Sequence, residues 1–234
     1  MHLFVGTSGY SYKQWKGHFY PQEISDKEFL KFYGTKLNSV EINNTFYRLP
    51  NESVVKHWAE QVPKGFAFSV KASQKITHMK RLKEVGEETE YLIRVARTLG
   101  EKLGVLLFQL PPNMKKDIAR LETFFKSLSG DVRVAFEFRH ESWFDDETFN
   151  LLCANNASLC IADVDDDGLQ VPFVSTAIWG YLRLRRENYT LAELKKWHKK
   201  VNEQNWKNAF VFFKHEDEGI GPKLAMKFLN LSNR

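Results

Sequence analysis

The sequence predicts an α/β fold, a single (β/α)8 barrel spanning residues 1–234, on three observations. Short apolar stretches with the two-residue alternation of strands recur eight times, with amphipathic stretches between them, which is the rhythm of parallel βα units. No Pro/Gly/Ser-rich linker, low-complexity run or sequence repeat divides the 234 residues, a length that suits a barrel. No Gly-x-Gly-x-x-Gly turn follows the first strand, which weighs against an open doubly wound sheet.

Residues 3–7 are expected as the first strand, ending in the polar turn Ser8-Gly9-Tyr10. Pro21 breaks the chain, and Ser25 is positioned to cap the next helix. Residues 39–43 form the second strand, 53–61 a helix and 66–72 the third strand, followed by a long basic loop containing Thr and His. A helix over 87–99 stops near Gly100. The fourth strand, 104–110, ends at Pro111-Pro112, and 117–128 is helical. The fifth strand opens the stretch from Ala135 to Phe144, AFEFRHESWF. There Val134, Phe136 and Phe138 take one face and Ala135, Glu137 and Arg139 the other, with His140 and Trp143 where the strand runs out. A helix over 145–154 leads to the sixth strand, 158–163. An acidic loop and Pro172 precede the seventh, 178–185. Thr190 caps a helix ending near 203, 209–214 is the eighth strand, and Pro222 suits the first turn of a last helix.

Hydrophobic residues make up 43% of the chain and charged residues 27%, and 19 Phe supply a substantial core, the balance of a soluble globular protein. No apolar run is long enough to span a bilayer. The start, MHLFVGTSGY, has neither the basic nor the apolar region of a signal peptide, so a cytoplasmic location and no membrane partner are expected. Cys153 and Cys160 read as small buried residues of a reducing compartment. The net charge of +5 and pI of about 9.0 describe chiefly a solvated basic surface. They also admit phosphate-bearing partners, nucleic acid among them.

In such a barrel the functional face lies where the strands end. Read at one parity, those ends are polar after the first strand: Glu41 and Asn43, Lys71, Gln109, Glu137 and Arg139, Asp163, Arg183 and Arg185, and Lys214. Three acids then face five bases around one mouth. A purely structural network of internal ion pairs would gain little, because desolvation offsets most of the attraction. A binding or catalytic site is therefore the stronger expectation.

Several local motifs are weak. Gly9 directly follows Ser8, so GTSGY lacks the spacing of a nucleophile elbow, and a tight turn presenting amides is the better reading. Tyr10, Tyr12 and Trp15 suit either an aromatic wall for a ligand or a packed loop. The run from Asp163 to Gly168 imitates a calcium loop, but Val174 stands where the bidentate acid is required. No zinc spacing of His or Cys occurs, so no zinc is expected. Glu41, Glu137, Asp163 and His140 could together hold Mg²⁺ or Mn²⁺. Lys71 could form a Schiff base, although pairing with Glu41 or Glu137 is the favoured expectation. Gly219 and Gly221 open the last helix after strand eight, where barrels often bind phosphate; Glu216, Asp217 and Glu218 beside them argue against it.

The stretches GTSGYSYKQW with GHFYP, SVEINNTFYRLP, FAFSVKAS with ITH, LGVLLFQLPP and AFEFRHESWF together resemble the YecE-like family, domain of unknown function 72. They cover Gly6 to Phe144 nearly without gaps, and weaker similarity continues to the last helix. The resemblance implies a (β/α)8 barrel and a site location, with no established reaction. Two departures add charge at the mouth: Arg183-Leu184-Arg185-Arg186 replaces the family's usual Arg-Leu-His-Gly, and Phe213-Lys214-His215 its Phe-Asn-Asn.

These readings converge on an uncharacterised enzyme acting on a small anionic or phosphate-bearing substrate. Glu137 and Glu41 are the expected acid/base pair. Arg139, Arg183, Arg185 and Lys214 would neutralise the anion, while Asn43, Gln109 and His140 orient it. A metal-dependent nuclease-like barrel and a non-catalytic ligand-binding barrel are the alternatives.

Overall fold

The computed structural model describes residues 1–128, 131–164, 168–214 and 217–233. The acids Asp165 to Asp167, together with His215 and Glu216, lie outside the described residues. Eight parallel strands close into a barrel in chain order: β1 (His2–Ser8), β2 (Ser39–Ile42), β3 (Ala67–Lys71), β4 (Leu103–Gln109), β5 (Val134–Glu137), β6 (Ser158–Asp163), β7 (Trp179–Leu184) and β8 (Asn208–Phe213). The described helices are α1 (Phe29–Tyr33), α2 (Glu52–Gln61), α3 (Gly86–Arg97), α4 (Ile118–Ser127), α5 (Asp146–Ala154), α6 (Leu191–Asn202) and α7 (Ile220–Asn230). The architecture is that of a (β/α)8 barrel, and closure removes the exposed edges an open sheet would leave.

Local chemistry fixes most boundaries. Asn51, Asp117 and Asp145 each accept a backbone N–H at the start of a helix. Thr190 and Glu193 form a reciprocal capping box on α6, which satisfies donors that a helix start leaves orphaned. Ser25 accepts from Lys27 as expected, but the turn it starts is a single 3-10 turn running into α1, only 5 residues long.

One crossover breaks the alternation of strand and helix, at the acidic loop and Pro172 that the sequence places before the seventh strand. No helix joins β6 to β7 among the described residues. Residues 171–176 pack on the barrel there instead. The Phe173 ring lies 6.2 Å from Trp197 and 6.0 Å from Trp206. Thr176 Oγ1 accepts from Leu159 N and donates to Ala157 O, both at 2.8 Å. Gly180 on β7 admits the Trp206 ring, because a Cβ at that position would stand 2.3 Å from it.

The core has two layers. Between strands and helices lie Phe108, Phe124, Phe136, Leu159, Ile161 and many others. Inside the barrel, Val105, Leu107, Cys160, Trp179, Tyr181, Phe210 and Phe212 fill the lower part as a packed plug. Cys160 is therefore buried as expected, whereas Cys153 is exposed: it sits on the solvent side of α5. No helix among the described residues is long and apolar enough to cross a membrane.

Candidate functional site

Parallel strands bring their C-terminal ends to one mouth, and alternation decides which side chains point inward. Above the aromatic plug the inward positions become polar. Glu41, Glu137 and Arg183 are essentially sealed from solvent, at 0%, 1% and 2% exposure. Arg183 donates through Nη2 to Glu41 Oε1 at 2.8 Å and through Nη1 to Glu137 Oε2 at 2.5 Å. Ser8 Oγ and Tyr181 Oη donate to Glu41, each at 2.7 Å, and Asn43 Nδ2 donates to it at 3.0 Å. Gln109 Nε2 donates to Glu137 at 2.8 Å. Burial alone would raise both carboxyl pKa values. The Arg183 charge and these donors outweigh it, so both lie below the usual carboxylate range, and Arg183 is held well above its own.

Over this layer opens a cavity of about 460 Å³. Its wall includes Lys71, Arg139, Arg183, Arg185 and Lys214, with Ser8, Tyr12, Asn43, Phe46 and Gln109, and no acid among the described residues. Lys71 does not pair with Glu41 or Glu137 as expected. Its Nζ donates to Gln109 Oε1 at 2.7 Å and sits 4.3 Å from the centre of the Phe46 ring. Arg183 has already taken up the two carboxylates. Burial, with the Arg183 charge, lowers the Lys71 pKa from its ordinary 10.5 to about 8. Arg185, 3.8 Å from Glu137, is partly exposed.

The structure brings together Glu41, Asn43, Lys71, Gln109, Glu137, Arg139, Arg183, Arg185 and Lys214, and separates the other candidates from them. Asp163 ends β6 at the mouth but faces the helices. Leu159 and Ile161, of the same parity, lie in the outer core, and Cys160 points inside. Asp163 accepts from Arg186 Nε at 2.9 Å and from the Tyr189 hydroxyl at 2.8 Å. Trp15 is core, packed on Tyr12, Phe19 and Tyr20. Tyr10 lines a neighbouring cavity with Tyr12, Asn43 and Trp58. His140 caps the turn that holds Trp143, accepting from Ser142 N at 3.1 Å. Gly219 is left-handed (φ 68°), and a Cβ there would stand 3.2 Å from Phe19. Gly221 is buried within α7. The loop after β1 thus covers the turn that the sequence offered as a phosphate site. The four expected metal ligands do not converge, and no group of three or more His, Cys, Asp or Glu suited to a metal occurs among the described residues.

Sequence reasoning missed Tyr181 and Phe46 and gave Ser8 a different role. Tyr181 stands two residues before Arg183 on the same face of β7, so parity could have found it. Phe46 comes from a 3-10 turn (Asn44–Phe46) after β2, where no periodic pattern points to the mouth.

A family model described as protein of unknown function DUF72 matches residues 4–234. The chain is 26% identical to the UPF0759 protein YunF of Bacillus subtilis, over 93% of this chain and 80% of that protein. It superposes on the crystal structure of a DUF72 family protein from Thermotoga maritima with a TM-score of 0.89 and 27% identity, covering 100% of both chains. A DUF72 family protein from Enterococcus faecalis shares the fold, with a TM-score of 0.84 at 19% identity over 99% of this chain and 96% of that one.

Proposed function

We propose that this chain, which belongs to the DUF72 family of proteins of unknown function, is an enzyme whose barrel mouth takes up a small anionic, phosphate-bearing substrate. One observation carries the reading: five cationic side chains line a single cavity, and its described lining residues include no acid. The planar donors of Arg139 and Arg185 suit the paired oxygens of a phosphate. Arg183 supplies the floor, held rigid by the two carboxylates beneath it.

The geometry moves the acid/base work away from Glu41 and Glu137. Both are sealed, ionised and fully engaged by donors, so neither can exchange a proton with a ligand in the cavity. Among the described lining residues, Lys71 has its pKa lowered to about 8, so its protonation changes near neutral pH. The metal-dependent nuclease reading has less support, since Glu41 and Glu137 accept from Arg183 while Asp163 faces the helix layer. A non-catalytic binding barrel would use the same cavity and differ only in turnover.

Calorimetric titration with inorganic phosphate tests the anion site, and an assay of phosphorylated small molecules tests turnover. Binding of one phosphate per chain is expected. Absence of binding would remove the reading, and binding without turnover of any substrate would leave the non-catalytic one.

A further inference from the structure

We infer that Lys71 is an imine-forming residue, whose amine adds to the carbonyl carbon of an aldehyde or ketone carrying a phosphate or carboxylate group. The inference rests on the anion-binding reading of the same cavity and adds the electrophile to it.

Three features support it. Lys71 stands at the end of β3 in the wall of the cavity, and its Nζ contacts neutral groups, the Gln109 amide oxygen and the Phe46 ring. Gln109 is itself fixed: its amide nitrogen donates to Glu137, which leaves the oxygen to hold the lysine. An amine in this position is oriented without being neutralised by a carboxylate at contact distance. Burial, with the Arg183 charge, then favours the nucleophilic, uncharged form. Burial opposes the ammonium most, then Arg183 on β7; Glu137 on β5 and Glu41 on β2 favour it, and Arg185 just past β7 opposes it least. Arg139 and Lys214 complete the cationic wall. His78, in the turn after β3, is held below its ordinary pKa by burial and by the charges of Lys71 and Arg139, so it adds no fixed positive charge at neutral pH.

The cavity has room for both ends of such a molecule. Its anionic group would lie on Arg139, Arg185 and Lys214 and its carbonyl at Lys71. The step balances without a further reactant. The Lys71 nitrogen lone pair forms the C–N bond as the carbonyl π electrons move to oxygen. One amine proton passes to that oxygen, giving the carbinolamine. The nitrogen then forms the C=N bond, the C–O bond breaks, and the oxygen leaves as water with the second amine proton.

The test uses the full chain, glycolaldehyde phosphate as probe and sodium cyanoborohydride to reduce any imine to a stable amine, with peptide mapping by mass spectrometry. Lys71 should carry the main adduct, formed at least about tenfold faster than at exposed Lys64, because near neutrality its uncharged fraction is far larger. The labelling rate should rise with pH to a midpoint near 8 and fall when inorganic phosphate is added. Lys71→Arg, checked for folding by circular dichroism, should lose that adduct alone. Labelling at Lys71 no faster than at Lys64 would overturn the inference. If phosphate still bound by calorimetry in that case, the anion site would stand without the imine. Rapid labelling of Lys71 that phosphate does not suppress would support the imine and count against phosphate as the anionic group.

Discussion

Arg183 on β7 donates to Glu41 on β2 at 2.8 Å, a bond that crosses the inside of the barrel between strands that are not neighbours. With its second contact to Glu137 on β5, it ties three strands together just above the aromatic plug. Removing Arg183 would leave Glu41 buried without its cation and Glu137 with only Arg185, 3.8 Å away. Arg183→Met is therefore expected to cost about 3–5 kcal/mol, the usual penalty for breaking a buried pair from one side. Urea unfolding of wild type and variant measures it. A loss of less than about 1 kcal/mol would mean that the carboxylates find other partners.

Arg185 and Arg186 are adjacent in sequence and opposite in role. Arg186 turns to the helix layer, bonded to Asp163 and Glu193 and stacked on Tyr189. Arg186→Ala should leave phosphate affinity within about twofold of wild type and cost on the order of 1 kcal/mol, the scale of a partly exposed pair. Loss of phosphate binding in this variant would place the anion outside the barrel, on the wrong side of β7.

The acid limb of stability should be set largely by the buried layer. Glu41 and Glu137 have folded pKa values below the ordinary 4.5. Below 4.5 the unfolded chain therefore binds more protons than the folded one, and stability falls as pH falls through that window. Melting temperature should drop steadily between pH 4.5 and about 2. Adding 0.5 M salt, a concentration of the order that screens surface pairs, should leave most of that drop in place. A drop abolished by salt would assign it to surface carboxylates such as Glu88 and Glu193 instead.

Most of the fold was legible because each strand and its flanking turns carry their own signals. The apolar alternation located all eight strands to within a residue or two, and Asp117, Asp145 and Thr190 announced helix starts. The β6–β7 crossover breaks that rhythm, and Pro172 with the acidic run before it marked it as a loop. At the site, parity found Glu41, Glu137, Arg183 and Lys214 correctly. It went wrong at Asp163, where Leu159 and Ile161 share the acid's parity and belong to the helix layer. Pairing could not be read at all. Whether Lys71 or Arg183 takes the two carboxylates depends on side-chain reach across the barrel, which no spacing along the chain encodes. Trp15 and His140 failed for a related reason: loop residues have no periodicity to say which way they face.

The cationic cavity above the Arg183 layer is expected to bind a phosphate-bearing anion. Calorimetric titration of inorganic phosphate into wild type and Arg185→Ala, with a thermal melt of each, tests it most directly. One phosphate per wild-type chain is expected, with about tenfold weaker binding in the variant, the loss of one charge-assisted contact. Melting temperatures should be nearly equal, because both buried carboxylates keep their direct hydrogen bonds to Arg183, whereas Arg185 stands 3.8 Å from Glu137. No binding to wild type, or unchanged affinity in Arg185→Ala together with a large loss of stability, would contradict it.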